Sequence, residues 1–185
     1  MIEIFDDYLS AEDYKQLYDI VTSHGFKWNR SRILHDPNDP GMDKHQDYIF
    51  TGGDSNFNIQ FVKLVYCIEQ KKFDESLIYG CLSPLFKKLK INRGNAVKSK
   101  FNITFNHGVH VNSGFHTDNS YENCKTAIYY VNDNNGYTEF EEDGTKVISK
   151  ANRLVVFPSN LRHSGVSCTD KRYRVVLNLN WLDCD

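Results

Sequence analysis

From residue 101 to residue 181 the chain consists of short alternating segments separated by Asn and Gly, and this pattern narrows the folds open to it. Candidate strands fall at 101–106, 114–118, 125–131, 137–141, 145–149, 153–157, 163–168 and 172–181. Successive side chains along a strand point to opposite faces. In 172–181 one face carries Arg172, Arg174, Val176, Asn178 and Asn180, and the other Tyr173, Val175, Leu177, Leu179 and Trp181. In 101–106, Asn102, Thr104 and Asn106 oppose Phe101, Ile103 and Phe105, while Thr126, Ile128 and Tyr130 share a face in 125–131. Eight short strands at this spacing predict a double-stranded β-helix, or jelly roll, whose apolar faces need cover.

The upstream residues can supply that cover. Ile2–Phe5 reads as a strand. Ser10 is a good helix N-cap, Glu12 and Asp13 occupy the first turn, and Tyr14, Leu17, Tyr18 and Val21 then share one helical face until Gly25. A short strand follows, up to residue 28. Residues 74–90 predict a second helix through Leu77, Ile78, Cys81, Leu82, Leu85 and Leu89, with a kink or break at Pro84. The expected fold is mostly β with N-terminal helices, two helices packing on the major sheet. Residues 1–185 form one domain, in which 1–100 support a core at 101–181. Within 1–100, residues 29–56 are rich in turn signals such as Asp36-Pro37-Asn38-Asp39-Pro40-Gly41. A stretch this long reads either as a lid over a substrate site or as a disordered insertion.

Composition excludes some classes of function. A net charge of −2 and an isoelectric point near 6.4 leave no basic footprint for nucleic acid or anionic lipid. Met1–Ser10 is too acidic for a signal peptide, and no apolar run approaches membrane-spanning length. Five cysteines, Cys67, Cys81, Cys124, Cys168 and Cys184, are an odd number without CxxC spacing and read as reduced thiols of a cytoplasmic protein.

The polar strand faces have two possible destinations. A sheet with one solvated face produces this alternation. So does a barrel with a polar interior, which is costly unless it binds something polar. His116, Asp118 and His163 favour the second. Asp two residues after His puts both side chains on one face of a strand end, and His163 follows 47 residues later. Two imidazoles and a carboxylate leave three octahedral positions open, the facial triad of non-haem Fe(II) oxygenases. Zinc is the competing metal and would imply a hydrolase. Arg172, nine residues past His163, offers a fixed fork for a carboxylate, which a dicarboxylate cosubstrate would use and zinc hydrolysis would not. His107 and His110 lie near the first ligand as candidate supporting groups; His24, His35 and His45 have no such pattern.

Residues roughly 101–181 resemble the Fe(II)/2-oxoglutarate-dependent dioxygenases, most nearly the prolyl-4-hydroxylase-like branch in its bacterial or viral form. The resemblance rests on His116-Thr-Asp118, Ile128-Tyr-Tyr130-Val-Asn, Gly136-Tyr-Thr-Glu-Phe140, Arg153-Leu-Val-Val-Phe157-Pro, His163 and Arg172-Tyr, with Phe5-Asp-Asp-Tyr-Leu-Ser10 similar to the strand and helix preceding the barrel. It implies Fe(II) on His116, Asp118 and His163, with Arg172 and Tyr130 holding the far carboxylate of 2-oxoglutarate. Asn106, Thr126, Asn178 and Arg174 become further pocket candidates. O2 is the implied oxidant and ascorbate a reductant. Two departures bear on substrate. Collagen-type members usually carry Lys at the carboxylate position, and nucleic-acid demethylases carry a second Arg six residues after the first, where this chain has Asn178. The implied activity is hydroxylation of an unactivated C–H bond, in a peptidyl proline first and in a free amino acid or small metabolite second. The rival from another class is a non-catalytic metal-binding jelly-roll module. Neither nucleic acid nor membrane is an expected partner.

Overall fold

The computed structural model describes residues 1–31, 49–50 and 59–183, and its strands form two β-sheets. The elements run β1 (Glu3–Phe5), α1 (Ala11–Thr22), β2 (Asn29–Ser31), β3 (Ile49–Phe50), β4 (Gln60–Cys67), β5 (Lys72–Phe73), α2 (Glu75–Leu77), a π-helical turn (Ile78–Leu82) and α3 (Ser83–Lys88). They continue with β6 (Ala96–Phe105), β7 (Val111–Asn112), β8 (Cys124–Tyr130), β9 (Tyr137–Phe140), β10 (Lys146–Ile148), β11 (Arg153–Pro158), β12 (His163–Val166) and β13 (Tyr173–Leu182). The major sheet has the order β1-β11-β8-β13-β6-β4-β2, with β5 beside β4; the minor sheet has the order β10-β9-β12-β7-β3. All pairs are antiparallel except β3 with β7. The arrangement is consistent with a jelly roll.

The alternation read from the sequence becomes two cores. On the outer face of the major sheet, Phe101, Ile103, Tyr129, Leu177, Leu179 and Trp181 form one cluster with Leu17 and Val21 of α1 and with Leu77, Ile78, Leu82 and Leu85 of the second helical segment. On the inner face, Ile128, Tyr130, Val155, Phe157 and Val176 pack with Phe140 and Val147 of the minor sheet. Local signals explain the helices. Ser10 Oγ accepts the Asp13 N–H at 3.1 Å and caps α1. Pro84 stands in the first turn of α3, where its missing N–H costs least, and the chain upstream adopts a π-helical turn. The segment expected as one helix is therefore three pieces.

Some boundaries differ from the expected ones. The strand expected at 101–106 begins at Ala96, so Lys98 and Lys100 join the inner face. Residues 114–118 form no strand; β7 is shorter and earlier, and His116 joins His163 through an isolated bridge. The short strand lies at Asn29–Ser31, past residue 28. β4 escapes a period-two reading because its register shifts between Leu64 and Tyr66. Of the 29–56 stretch expected as a lid or insertion, 32–48 and 51–56 lie outside the described residues, as does Cys184. Among the described helices none is long and apolar enough to cross a membrane.

Leu177 is fully buried at the centre of the outer core. Replacing it with Ala is expected to cost about 3 kcal/mol of stability, read as a shifted midpoint with an unchanged slope in denaturant unfolding.

Candidate metal centre

A tight turn brings the two halves of the triad together. Asn112 at the end of β7 accepts the Gly114 N–H through its Oδ1 at 2.8 Å. Gly114 has φ +86°, a region open to glycine and strained for other residues. Past this turn His116 and His163 exchange backbone hydrogen bonds in both directions, each 3.0 Å, and their ring centroids lie 4.8 Å apart. His116 Nδ1 is 3.1 Å from the Gly114 carbonyl and His163 Nδ1 is 3.0 Å from the Leu161 carbonyl. Since a carbonyl only accepts, this network assigns the hydrogen of each neutral ring to Nδ1. It leaves both Nε2 atoms as free lone pairs, the form a ligating histidine takes.

Asp118 completes the set. Its carboxylate accepts the Thr126 hydroxyl at 2.8 Å, the Asn180 amide at 3.0 Å and the Asn178 amide at 3.3 Å. Thr126 and Asn180 are cross-strand partners on β8 and β13, so sheet register builds this cradle. Asp118 Oδ2 lies 3.8 Å from His163 Nε2, and ligand atoms from all three residues lie within 4.8 Å of one another. Burial opposes ionisation of Asp118, but electrostatic interaction with His163 and His116 and the bonds from Thr126 and Asn180 outweigh it, so its pKa is below the ordinary carboxylate value. His163, 3% exposed with the Phe157 ring centroid 4.7 Å away, has its pKa lowered chiefly by burial, against the opposing pull of Asp118. Both groups thus favour the deprotonated forms that bind a metal. The residues fit a facial-triad cation, with nitrogen and oxygen donors and supporting hydrogen bonds already in place.

The triad opens into a cavity of about 270 Å³ between the sheets, which Arg174 also lines. Arg174 is 5% exposed; its Nε donates to Ser149 Oγ at 2.9 Å and its Nη2 to Thr138 Oγ1 at 3.2 Å. The guanidinium lies 5.5 Å from the centroid of the Tyr130 ring. Among the described residues no carboxylate lies within 4.0 Å of it. Burial pushes its pKa down, with Tyr130 opposing. A buried cation with only hydroxyl partners is costly unless an anion joins it. Gly136 leaves room for this side chain, since a Cβ there would fall 2.7 Å from Arg174 Cδ.

The residues expected at the site fare differently. His116, Asp118 and His163 come together, Asn178 and Arg174 line the cavity, and Thr126 supports Asp118 from behind. Arg172 does not reach the triad. β13 begins at Tyr173, so Arg172 lies in the preceding turn, exposed, beside an outer groove with Tyr14 and Tyr18. Asn106 likewise lies beyond the end of β6, where its amide donates to the Thr169 and Lys171 carbonyls at 2.8 and 2.9 Å and shapes that same turn. Tyr130 is fully buried under Arg174, its hydroxyl donating to Thr138 Oγ1 at 2.8 Å. His107 lines the cavity, and His110 Nδ1 lies 2.7 Å from the Ser167 carbonyl. The sequence reading passed over Asn180, Thr138, Ser149, Lys98 and Lys100. The two lysines could have been found by extending the alternation of 101–106 toward the N-terminus.

Two measurements test this geometry. Asn180→Ala removes one donor from Asp118 and is expected to weaken Fe(II) or Mn(II) binding about 10-fold in calorimetric titration. In the metal-free protein the ring of His163 is expected to titrate below 6.5 by NMR, because burial disfavours its charged form and its pKa falls.

No protein-family model matches the chain, and no curated protein matches it in sequence. Solved structures do match its fold. A prolyl hydroxylase from Trichoplax adhaerens, in complex with a hypoxia inducible factor oxygen degradation domain peptide, is 14% identical with a TM-score of 0.56, covering 98% of this chain and 83% of that one. A Pseudomonas putida prolyl-4-hydroxylase is 16% identical with a TM-score of 0.57, covering 100% and 92%. The non-heme alpha-ketoglutarate-dependent epimerase SnoN from nogalamycin biosynthesis is 11% identical with a TM-score of 0.62, covering 98% and 76%. The chain shares the fold of these enzymes.

Proposed function

We propose that this chain is an Fe(II)- and 2-oxoglutarate-dependent oxygenase of the prolyl-hydroxylase-like branch, built on a double-stranded β-helix. The observation that carries the reading is a buried guanidinium without an anionic partner among the described residues, in the same cavity as a facial triad. His116, Asp118 and His163 would hold Fe(II). Arg174, not Arg172, would receive the far carboxylate of 2-oxoglutarate, with the Thr138 hydroxyl beside it. Iron with 2-oxoglutarate and O2 supplies oxidation of an unactivated C–H bond, with succinate and CO2 released and ascorbate as reductant.

The protein's own contribution is positioning and exclusion of water. The Thr138 and Ser149 hydroxyls hold the guanidinium, and the Tyr130 ring supports it from beneath. Asn178, Asn180 and Thr126 orient the Asp118 carboxylate, and the backbone carbonyls of Gly114 and Leu161 orient the two imidazoles. Ile128 and Val176 present apolar surface to the cavity between these polar groups. A zinc hydrolase reading leaves Arg174 unexplained.

For the oxidised substrate, a peptidyl proline is supported by the prolyl hydroxylases among the similar structures. A small-molecule substrate is the second reading, supported by the likeness to the epimerase SnoN. The buried, unbridged Cys67, Cys81, Cys124 and Cys168 support the cytoplasmic location expected from the sequence.

The test is succinate release by purified protein with Fe(II), ascorbate and 2-oxoglutarate, with and without a proline-rich peptide. Arg174→Ala is expected to raise KM for 2-oxoglutarate about 30-fold, equivalent to about 2 kcal/mol for a lost buried charge pair, whereas Arg172→Ala changes it less than about twofold. The opposite ranking would restore Arg172 as the clamp. Gly136→Ala crowds Arg174 and is expected to raise the same KM. His116→Ala is expected to abolish turnover, and full activity in that variant ends the oxygenase reading.

A further inference from the structure

We infer that the oxidised substrate carries an anionic group, held by Lys98 and Lys100 of β6 beside the metal centre. The inference rests on the oxygenase reading for the word substrate, but its geometry is independent of it. β6 and β13 pair so that Thr104 opposes Arg174, Asn102 opposes Val176, Lys100 opposes Asn178 and Lys98 opposes Asn180. All four β6 residues line the cavity. Asn178 and Asn180 are the residues that hold Asp118, so the two lysines stand beside the rungs that position the metal ligand. Arg174 lies four residues before Asn178 on β13, about 13 Å away at a strand rise of ~3.3 Å per residue.

Charge makes the case. Asp118 is the only carboxylate among the described residues lining the cavity, and it is committed to the triad. Among the described residues no carboxylate lies within 4.0 Å of either lysine ammonium. A divalent ion and Arg174 are balanced by Asp118 and the two carboxylates of 2-oxoglutarate. Among the described residues the ammonium groups of Lys98 and Lys100 are then left without a carboxylate of their own, partly buried and side by side on one strand face. Partly buried like charges without a counter-charge are unfavourable, and an incoming anion relieves both the repulsion and the desolvation. Asn102 Oδ1 and Thr104 Oγ1, buried without hydrogen-bond partners among the described residues, continue the same strip toward Arg174. The whole inner face of β6 is therefore suited to a polar, anionic ligand and poorly matched to a lone prolyl ring among neutral neighbours.

The anionic group has two possible sources: an acidic residue flanking the target in a peptide, or the substrate's own carboxylate in a small acid. The experiment separates them. Peptides with one proline flanked by Glu, by phosphoserine or by Gln, and L-proline against L-prolinamide, are titrated calorimetrically into protein loaded with Mn(II) and 2-oxoglutarate. Succinate release is followed with the Fe(II) protein. The anionic member of at least one pair is expected to bind 10-fold or more tightly than its neutral counterpart, with the advantage shrinking between 50 and 300 mM salt. The pair that responds identifies the source. Lys98→Gln with Lys100→Gln is expected to bring the ratio to within about twofold. Lys100→Glu is expected to transfer the preference to a Lys-flanked peptide, a gain that an unfolded variant cannot show. Equal binding within every pair, no binding by any anionic probe, or an undiminished preference in the double variant overturns the inference. Arg174-dependent succinate release without any probe tests the oxygenase reading separately. Its absence alongside a lysine-dependent anion preference would remove that reading and leave the anion site standing.

Discussion

Strand β13 has two incompatible faces, and the molecule is arranged around keeping them apart. Val175, Leu177, Leu179 and Trp181 must be buried against something apolar, and α1 and the second helical segment provide it. Arg174, Asn178 and Asn180 on the other face are buried as well, which is tolerable only because each is hydrogen-bonded. A polar strip enclosed between two sheets is an expensive feature for a small fold. It is retained here where it positions Asp118 at one end and Arg174 at the other.

The same low-polarity surroundings govern the electrostatics of the site. Burial opposes the charge on Asp118, yet the neighbouring His163 and His116 and the Thr126 and Asn180 bonds hold its pKa below the ordinary carboxylate value. Burial also keeps His163 neutral, which suits a ligand. Arg174 differs from both, because its partners are neutral hydroxyls and its charge has no counterpart among the described residues. The arrangement has prepared positions for a cation at the triad and for an anion at Arg174. Lys98 and Lys100 line the same cavity.

Much of the site could be read from residue spacing. His116-Thr-Asp118 and His163 needed only the facts that i and i+2 share a strand face and that several strands separate the two motifs. The choice between Arg172 and Arg174 could not be read this way. Both have the same parity on the final strand, and parity says nothing about where the strand begins. The ladder starts at Tyr173, so one arginine is carried into the cavity between the sheets while the other stays in the turn. Asn106 fails for the same reason at the other end of the paired strand, and Lys98 and Lys100 were overlooked because β6 begins earlier than its apolar residues suggest.

The β-rich class, the outward and inward faces of β8 and β13, the two major helical segments and the three candidate metal-ligand side chains could all be read from the sequence. These follow from local periodicity and residue chemistry, which act within a few residues. The tertiary structure alone decided which arginine is buried and which residues hold the Asp118 carboxylate. It also decided that two lysines on β6 stand beside Asn178 and Asn180 of β13. Each depends on strand ends and cross-strand register, which are set by hydrogen bonding between segments about 80 residues apart, such as Lys100 and Asn178, and leave no mark in the spacing of either segment alone.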